Sequence, residues 1–141
     1  MIIDTLATFC DALTGTTSAA ATDVIDLGAA ADAYESSWLN IRVDTAYTAA
    51  SGTPTATFQL QTASNTDFLA PDAVTLAASD ALGTSSLVAS AYVWQIRIPK
   101  GCKRYLRVYK VVSSPNNNFS AGAYDAFITK DIDMNTVKVR A

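Results

Sequence analysis

The sequence predicts an all-β fold, an antiparallel two-sheet sandwich of jelly-roll or Greek-key type with an extended N-terminal arm. Three observations carry this expectation. Short runs that alternate apolar and polar residues recur along the chain, separated by clusters of Gly, Pro, Ser, Asn and Asp. No stretch shows a sustained helical apolar face, because Thr and Gly interrupt the alanine tracts. No segment repeats at a period of roughly 20–50 residues, which argues against propellers and solenoids.

Taken in order, Met1 to Cys10 is apolar but broken by Asp4 and Thr5, and Thr14-Gly15-Thr16-Thr17-Ser18-Ala19-Ala20-Ala21 is small and polar. Residues 1–22 therefore read as arm and linker, and 23–141 as one sandwich domain. Asp23-Val24-Ile25-Asp26-Leu27 is a short strand candidate before Gly28. Trp38 to Tyr47 alternates cleanly, with Leu39, Ile41 and Val43 on one face and Asn40, Arg42 and Asp44 on the other, as a half-buried strand demands. Ser51-Gly52-Thr53-Pro54 turns the chain into Thr55 to Ala63, where Ala56, Phe58 and Leu60 face in and Thr57, Gln59 and Gln61 face out. The two runs are expected to form a hairpin.

Ala73-Val74-Thr75-Leu76 and Ser86-Leu87-Val88 are shorter candidates suited to sheet edges. Val93 to Ile98 sets Trp94, Ile96 and Ile98 against Gln95 and Arg97, and Pro99-Lys100-Gly101 makes a turn in which Pro fixes φ and Gly tolerates φ > 0. Tyr105 to Val112 follows, with Leu106, Val108 and Val112 inward. Ser113 to Asn118 is an exposed loop, and Gly122 to Lys130 is a last strand with Tyr124, Ala126 and Ile128 opposite Asp125, Phe127 and Thr129. A tail, Asp131 to Ala141, closes the chain.

At 141 residues the chain has the size of one typical domain, and such a domain removes roughly 68% of its unfolded surface from water. Half of its residues are hydrophobic but only 16% are charged, below the roughly 25% of ordinary soluble domains. Much of the surface is then Ala, Thr, Ser and Asn, with little charge to repel a neighbour, which suits a protein packed against others. Charge is also uneven. Up to residue 96 ten acids face one base, Arg42; from Arg97 onward nine bases face three acids, six of the bases between Arg97 and Lys110. Such a split steers a partner or aligns subunits, unless folding interleaves the two halves.

Most catalytic chemistry is excluded. The chain has no histidine, which removes triads, most zinc sites and the commonest general acid and base. Cys10 and Cys102 are too few for a disulfide framework and lack metal-ligand spacing, so both read as reduced, partly buried thiols. Asp23 with Asp26 and Asp131 with Asp133 are local, loop-like acid pairs, unlike carboxyls set across a cleft. Asp131-Ile132-Asp133-Met134-Asn135 begins like a calcium loop, but Thr136 replaces the turn glycine. No Gly-rich phosphate loop occurs. No catalytic residue, cofactor or metal is expected, and the protein is read as not an enzyme. Tyr105 and Tyr109 interleave with bases as in single-strand binders, yet the overall acidity counts against nucleic acid. Trp38, Tyr92 and Trp94 would suit a sugar-stacking platform, although a sandwich normally buries its tryptophans. No apolar run reaches the ~20 residues that span a bilayer and no basic residues open a signal peptide, so membrane insertion and export are not expected.

The opening Met1-Ile2-Ile3-Asp4-Thr5-Leu6, then Asp11-Ala12 and Ser18 to Gly28, resemble the amino-terminal pattern of a phage capsid cement family known from a Bordetella podophage. Phe58-Gln59-Leu60-Gln61-Thr62, Ile98-Pro99-Lys100-Gly101, Tyr105-Leu106-Arg107-Val108-Tyr109 and Phe119-Ser120-Ala121-Gly122 look like its later strand and turn signatures, in the same order and spacing. Leu13 departs from the family's Gln, and Val111 to Asn118 looks lengthened. The resemblance implies a jelly-roll protein made in the bacterial cytoplasm and carried on the outer surface of the head, bound to the major capsid protein and to itself as dimer or trimer. A clamp of this kind needs edge strands or an arm and complementary charge rather than catalytic groups. The contact candidates are Ile2, Ile3, Leu6 and Phe9 in the arm, and Arg97, Lys100, Lys103, Arg104 and Arg107 in the basic strand and turn. The other readings of such a sandwich are carbohydrate binding and a tail or spike accessory role.

Overall fold

A computed structural model describes residues 5–30, 34, 36–113 and 116–130. After a 3-10 turn at Thr5–Ala7 come β1 (Thr8–Thr14), β2 (Ala19–Ala20), β3 (Ile25–Asp26), β4 (Trp38–Ser51), β5 (Thr55–Ala63), β6 (Val74–Ala78), β7 (Leu82–Gly83), β8 (Tyr92–Arg97), β9 (Tyr105–Val112) and β10 (Asn118–Thr129). The first sheet has the order β1-β10-β4-β8. The second has the order β2-β9-β5-β6, with β3 also paired to β9 and β7 also paired to β5. All of these pairings are antiparallel, and the two sheets stack as the sandwich that the alternating pattern predicts.

Alternation builds the core. Leu39, Ile41 and Val43 of β4 are fully buried, as are Ala56, Phe58 and Leu60 of β5 and Leu106 and Val108 of β9. Each such Leu, Ile, Val or Phe contributes about 1.5–3 kcal/mol relative to exposure. Phe58 meets Tyr124 of β10 across the two sheets, ring centroids 5.0 Å apart. Within the first sheet Tyr47 packs edge-on to Phe119 at 5.0 Å. Gly122 allows this: at φ +147° a Cβ there would sit 2.3 Å from Tyr47 Cδ1, so only glycine lets the ring lie against the β10 backbone.

Several expectations are corrected. The described part of the arm and linker is built into both sheets: β1 pairs with β10, and β2 pairs with β9. Phe9, placed on the arm, is fully buried and, with the neighbouring Cys10, belongs to the core. β4 and β5 do not form a hairpin. The 51–54 turn carries the chain from one sheet to the other, so that both apolar faces meet across the core instead of side by side. Gly52 takes φ +62° there, and Thr53 donates its N–H to Asn117 Oδ1 at 3.0 Å. Ser86 to Val88 is not a strand but the end of a turn and irregular chain, yet Leu87 from it is fully buried in the core. Asn40 is not solvated on the outer face of β4: it is fully buried, donating to Thr129 Oγ1 at 2.9 Å and accepting from Gln95 Nε2 at 2.8 Å. The tail 131–141, with Asp131 and Asp133, lies outside the described residues.

Lys110 follows the inward phase of Leu106, Val108 and Val112 and is 2% exposed. Its ammonium donates to the Gly15 carbonyl and lies 5.5 Å and 5.6 Å from the ring centres of Tyr47 and Tyr124. Burial pushes its pKa down from 10.5 to about 8. Burial moves the acids around it the other way: Cys10 rises from 9.0 to about 12, and the Tyr47 and Tyr124 hydroxyls rise above their usual 10.0.

These opposed shifts predict a stability maximum. Between pH 8 and 10.5 the unfolded chain holds a proton on Lys110 that the folded chain has lost, so stability rises by about 1 kcal/mol from pH 7 to 9. Above about pH 9–10 the unfolded chain deprotonates Cys10, Tyr47 and Tyr124 first, and stability falls. Denaturant unfolding at pH 7, 9 and 11 should show the peak, and Lys110→Met should abolish the rise while keeping the fall. A flat profile contradicts this assignment.

Candidate functional site

The outward row of β9 is the counterpart of its buried row. Tyr105, Arg107, Tyr109 and Val111 are half-buried on the outer face of the second sheet. They lie beside the outward residues of β5, with Arg107 opposite Gln61 and Tyr109 opposite Gln59. Arg107 Nε donates to Gln61 Oε1 at 2.7 Å, and Gln61 Nε2 donates in turn to Gln59 Oε1 at 2.9 Å. The guanidinium lies over Phe68 at 4.3 Å from the ring centre and 5.1 Å from that of Tyr109. Phe68 comes from the loop between β5 and β6, where it takes φ +49° and is 5% exposed. Arg107 is thus clamped by aromatic contacts and by an amide chain, and partial burial holds its pKa below the ordinary value while Tyr109 works against that shift.

The other bases of this strand and turn are dispersed. Lys103 donates to the Asp72 carbonyl at 2.6 Å and to Asp72 Oδ1 at 3.1 Å, and its N–H donates to Thr62 Oγ1 at 2.8 Å. Arg104 forms two bonds with the Asp26 carboxylate, at 2.9 and 3.0 Å, and lies 5.1 Å from the Tyr105 ring centre. The Arg104 hydrogen bonds hold Asp26 below the usual carboxylate range. Desolvation pushes Asp72 up, but bonds from Lys103 and Ser64 outweigh it and leave that carboxyl low as well. Arg97 is exposed at the end of β8 in the first sheet, 5.7 Å from the Trp38 ring centre, and Lys100 is exposed in the turn that follows. Lys103, Arg104 and Arg107 therefore share one end of the second sheet, while Arg97 belongs to the first.

Of the arm residues, Leu6 is 84% exposed and is the most exposed of the large described apolar side chains. Phe9 is core, and Ile2 and Ile3 lie outside the described residues. The three aromatics of the proposed sugar platform separate: Trp38 and Tyr92 are on the outer face of the first sheet, and Trp94, opposite the inward Ile41, packs against the core. Elsewhere on that outer face, Thr8, Cys10, Asp11, Arg42, Tyr92, Asp125 and Phe127 line a cleft of about 320 Å³. Asp125 at its base accepts from Ala12 N–H at 2.7 Å and pairs with Arg42 at 3.2 Å. Both thiols are buried, Cys10 Sγ directed at the Tyr124 carbonyl and Cys102 Sγ at that of Pro99, so neither is presented as a nucleophile. Among the described residues no cluster of three or more His, Cys, Asp or Glu is placed to hold a metal ion.

A family model, Bbp16, matches residues 9–128, from β1 to within one residue of the end of β10. The chain belongs to the Bbp16 family. Bbp16 is a cement protein of Bordetella phage BPP-1, and the family is one of structural phage proteins. No curated protein matches the chain. The Bbp16 match covers the whole basic strand and turn and stops short of Leu6.

Residue-level reading missed Phe68 and the fixing of Arg107. A single aromatic in a polar loop carries no local signal of where the loop folds, whereas the outward phase of Arg107 with Tyr105 and Tyr109 was visible. Asp72 is what anchors the loop, accepting from the N–H groups of Ser64 at 2.7 Å and Asn65 at 3.3 Å besides Lys103. Asp72→Ala should therefore accelerate hydrogen exchange at Ser64 and Asn65 and weaken the Phe68 contact with Arg107, with the β4 and β10 amides unchanged. Unaltered exchange at Ser64 and Asn65 contradicts that role.

Proposed function

We propose that this Bbp16-family protein binds the outer surface of the assembled phage head and reinforces it by bridging neighbouring major capsid subunits, as a homo-oligomer. The outer face of the second sheet, centred on Arg107, Tyr105 and Tyr109 and flanked by Lys103 and Arg104, makes the principal contact. Leu6 with Ile2 and Ile3, and Arg97 with Lys100, are secondary contacts. The observation that carries this reading is the pre-ordered Arg107 cluster. Arg and Tyr dominate the energetics of protein interfaces, and a side chain already fixed in place loses little entropy on binding. That face needs no catalytic group, in keeping with the structural character of the family.

Cementing is then a matter of linkage. A protein that binds only the assembled shell stabilises it by about 2.7 kcal/mol per site at a hundredfold excess over Kd, and a shell offers many sites. Adding the purified protein to heads that lack it should raise their melting midpoint in a saturable way. Because the contact includes a charged group, the shift should shrink at high salt. An unchanged midpoint at saturating protein contradicts the proposal.

A further inference from the structure

We infer that Arg107 is a carboxylate receptor, and that the capsid surface this protein covers presents an acidic side chain to it. The inference rests on the cement reading and adds the chemistry of the partner. Three bases crowd this end of the second sheet, and two are already answered within the chain, Arg104 by Asp26 and Lys103 by Asp72. Arg107 has no carboxylate partner among the described residues. Its Nε is committed to Gln61, and its two terminal nitrogens have no acceptor there either.

The surroundings of Arg107 supply packing and an amide acceptor but no opposite charge among the described residues. Phe68 covers one side at 4.3 Å, Tyr109 lies at 5.1 Å, and the neighbouring outward residues of β5 are Thr57, Gln59 and Gln61, all uncharged. A guanidinium packed against rings and bonded at Nε leaves its terminal N–H groups as a fork for an acceptor. That fork fits the two oxygens of a carboxylate, and the pairing strengthens as the interface excludes water. Lysine would supply the charge without the fork or the stacking.

The acid is assigned to the shell rather than to a second copy of this chain. Asp26 and Asp72 are engaged by Arg104 and Lys103 and so are not free to answer the Arg107 of a second copy. A self-contact through this face would bring together two surfaces with the same uncompensated positive charge, whereas an acidic shell surface complements it.

The test is decoration of heads lacking the protein by wild type, Arg107→Lys, Arg107→Met and Arg107→Ala, at low and high salt, with sedimentation velocity of each protein alone. Arg107→Met retains an apolar stem to pack on Phe68, so a folded charge-free variant remains if the alanine variant does not fold. Wild type should bind, Arg107→Ala and Arg107→Met should lose at least roughly 30-fold in affinity, and Arg107→Lys roughly tenfold. The charge-free variants should also be less sensitive to salt. Wild-type binding with all variants equal to it overturns this inference alone, as does full rescue by lysine, which would mean that charge suffices without the fork. Loss of a homo-oligomer in the Arg107 variants without heads overturns the assignment of the acid to the shell. No wild-type binding overturns the cement reading and this inference with it.

Discussion

Everything in this molecule depends on the phase of β9. As the strand between β5 and the β2–β3 edge, it has one row of side chains that must be buried and one that must be displayed, and a slip of one residue would exchange them. Its pairing with β5 runs in unbroken register from Ala56 opposite Val112 to Ala63 opposite Tyr105. That register places Leu106 and Val108 in the core and aligns Arg107 with Gln61, so the interaction that builds the sandwich also builds the face. Sheet pairing is therefore what orders the face, with Phe68 and Asp72 adding the clamp from a loop.

Folding largely dissolves the charge asymmetry of the sequence. Acids from the acid-rich first part meet bases from the base-rich second part at Asp26 with Arg104 and Asp72 with Lys103, and the lone early base, Arg42, meets the late acid Asp125. Among the described residues these pairs bring the acid-rich and base-rich parts of the sequence together. What survives is local: Lys110 is buried in the core against a carbonyl and two rings, and Arg107 is displayed without an acid among the described residues. The first costs stability at neutral pH, and the second is available to a partner.

Most of the strand set was legible because alternation is a local property. Leu39, Ile41 and Val43, or Ala56, Phe58 and Leu60, need only their own neighbours to declare a buried face, and β9 was marked in the same way. Pairing was not legible. A four-residue turn with Gly52 and Pro54 serves equally to return a strand beside its neighbour or to carry it to the opposite sheet, and only the core decides which. The burial of Phe9 and Leu87 was not legible for the same reason, since it depends on strands distant in sequence. Lys110 had the signal of its phase, but a charged residue is easily passed over in an inward row. The basic strand was visible, yet composition could not separate answered charges from the unanswered one, because Asp26 and Asp72 are remote in sequence from the bases they neutralise.

The central claim is that the outer face of the second sheet lies against the shell. Electron cryomicroscopy of decorated heads measures this most directly, since the two sheets of a sandwich differ in outline and Arg107, Tyr105 and Tyr109 mark only one of them. The account predicts that the row of β9 carrying these residues faces capsid subunits, with density from an acidic side chain at the Arg107 terminal nitrogens. A reconstruction in which that face is turned to solvent, with the first sheet against the shell, would contradict it.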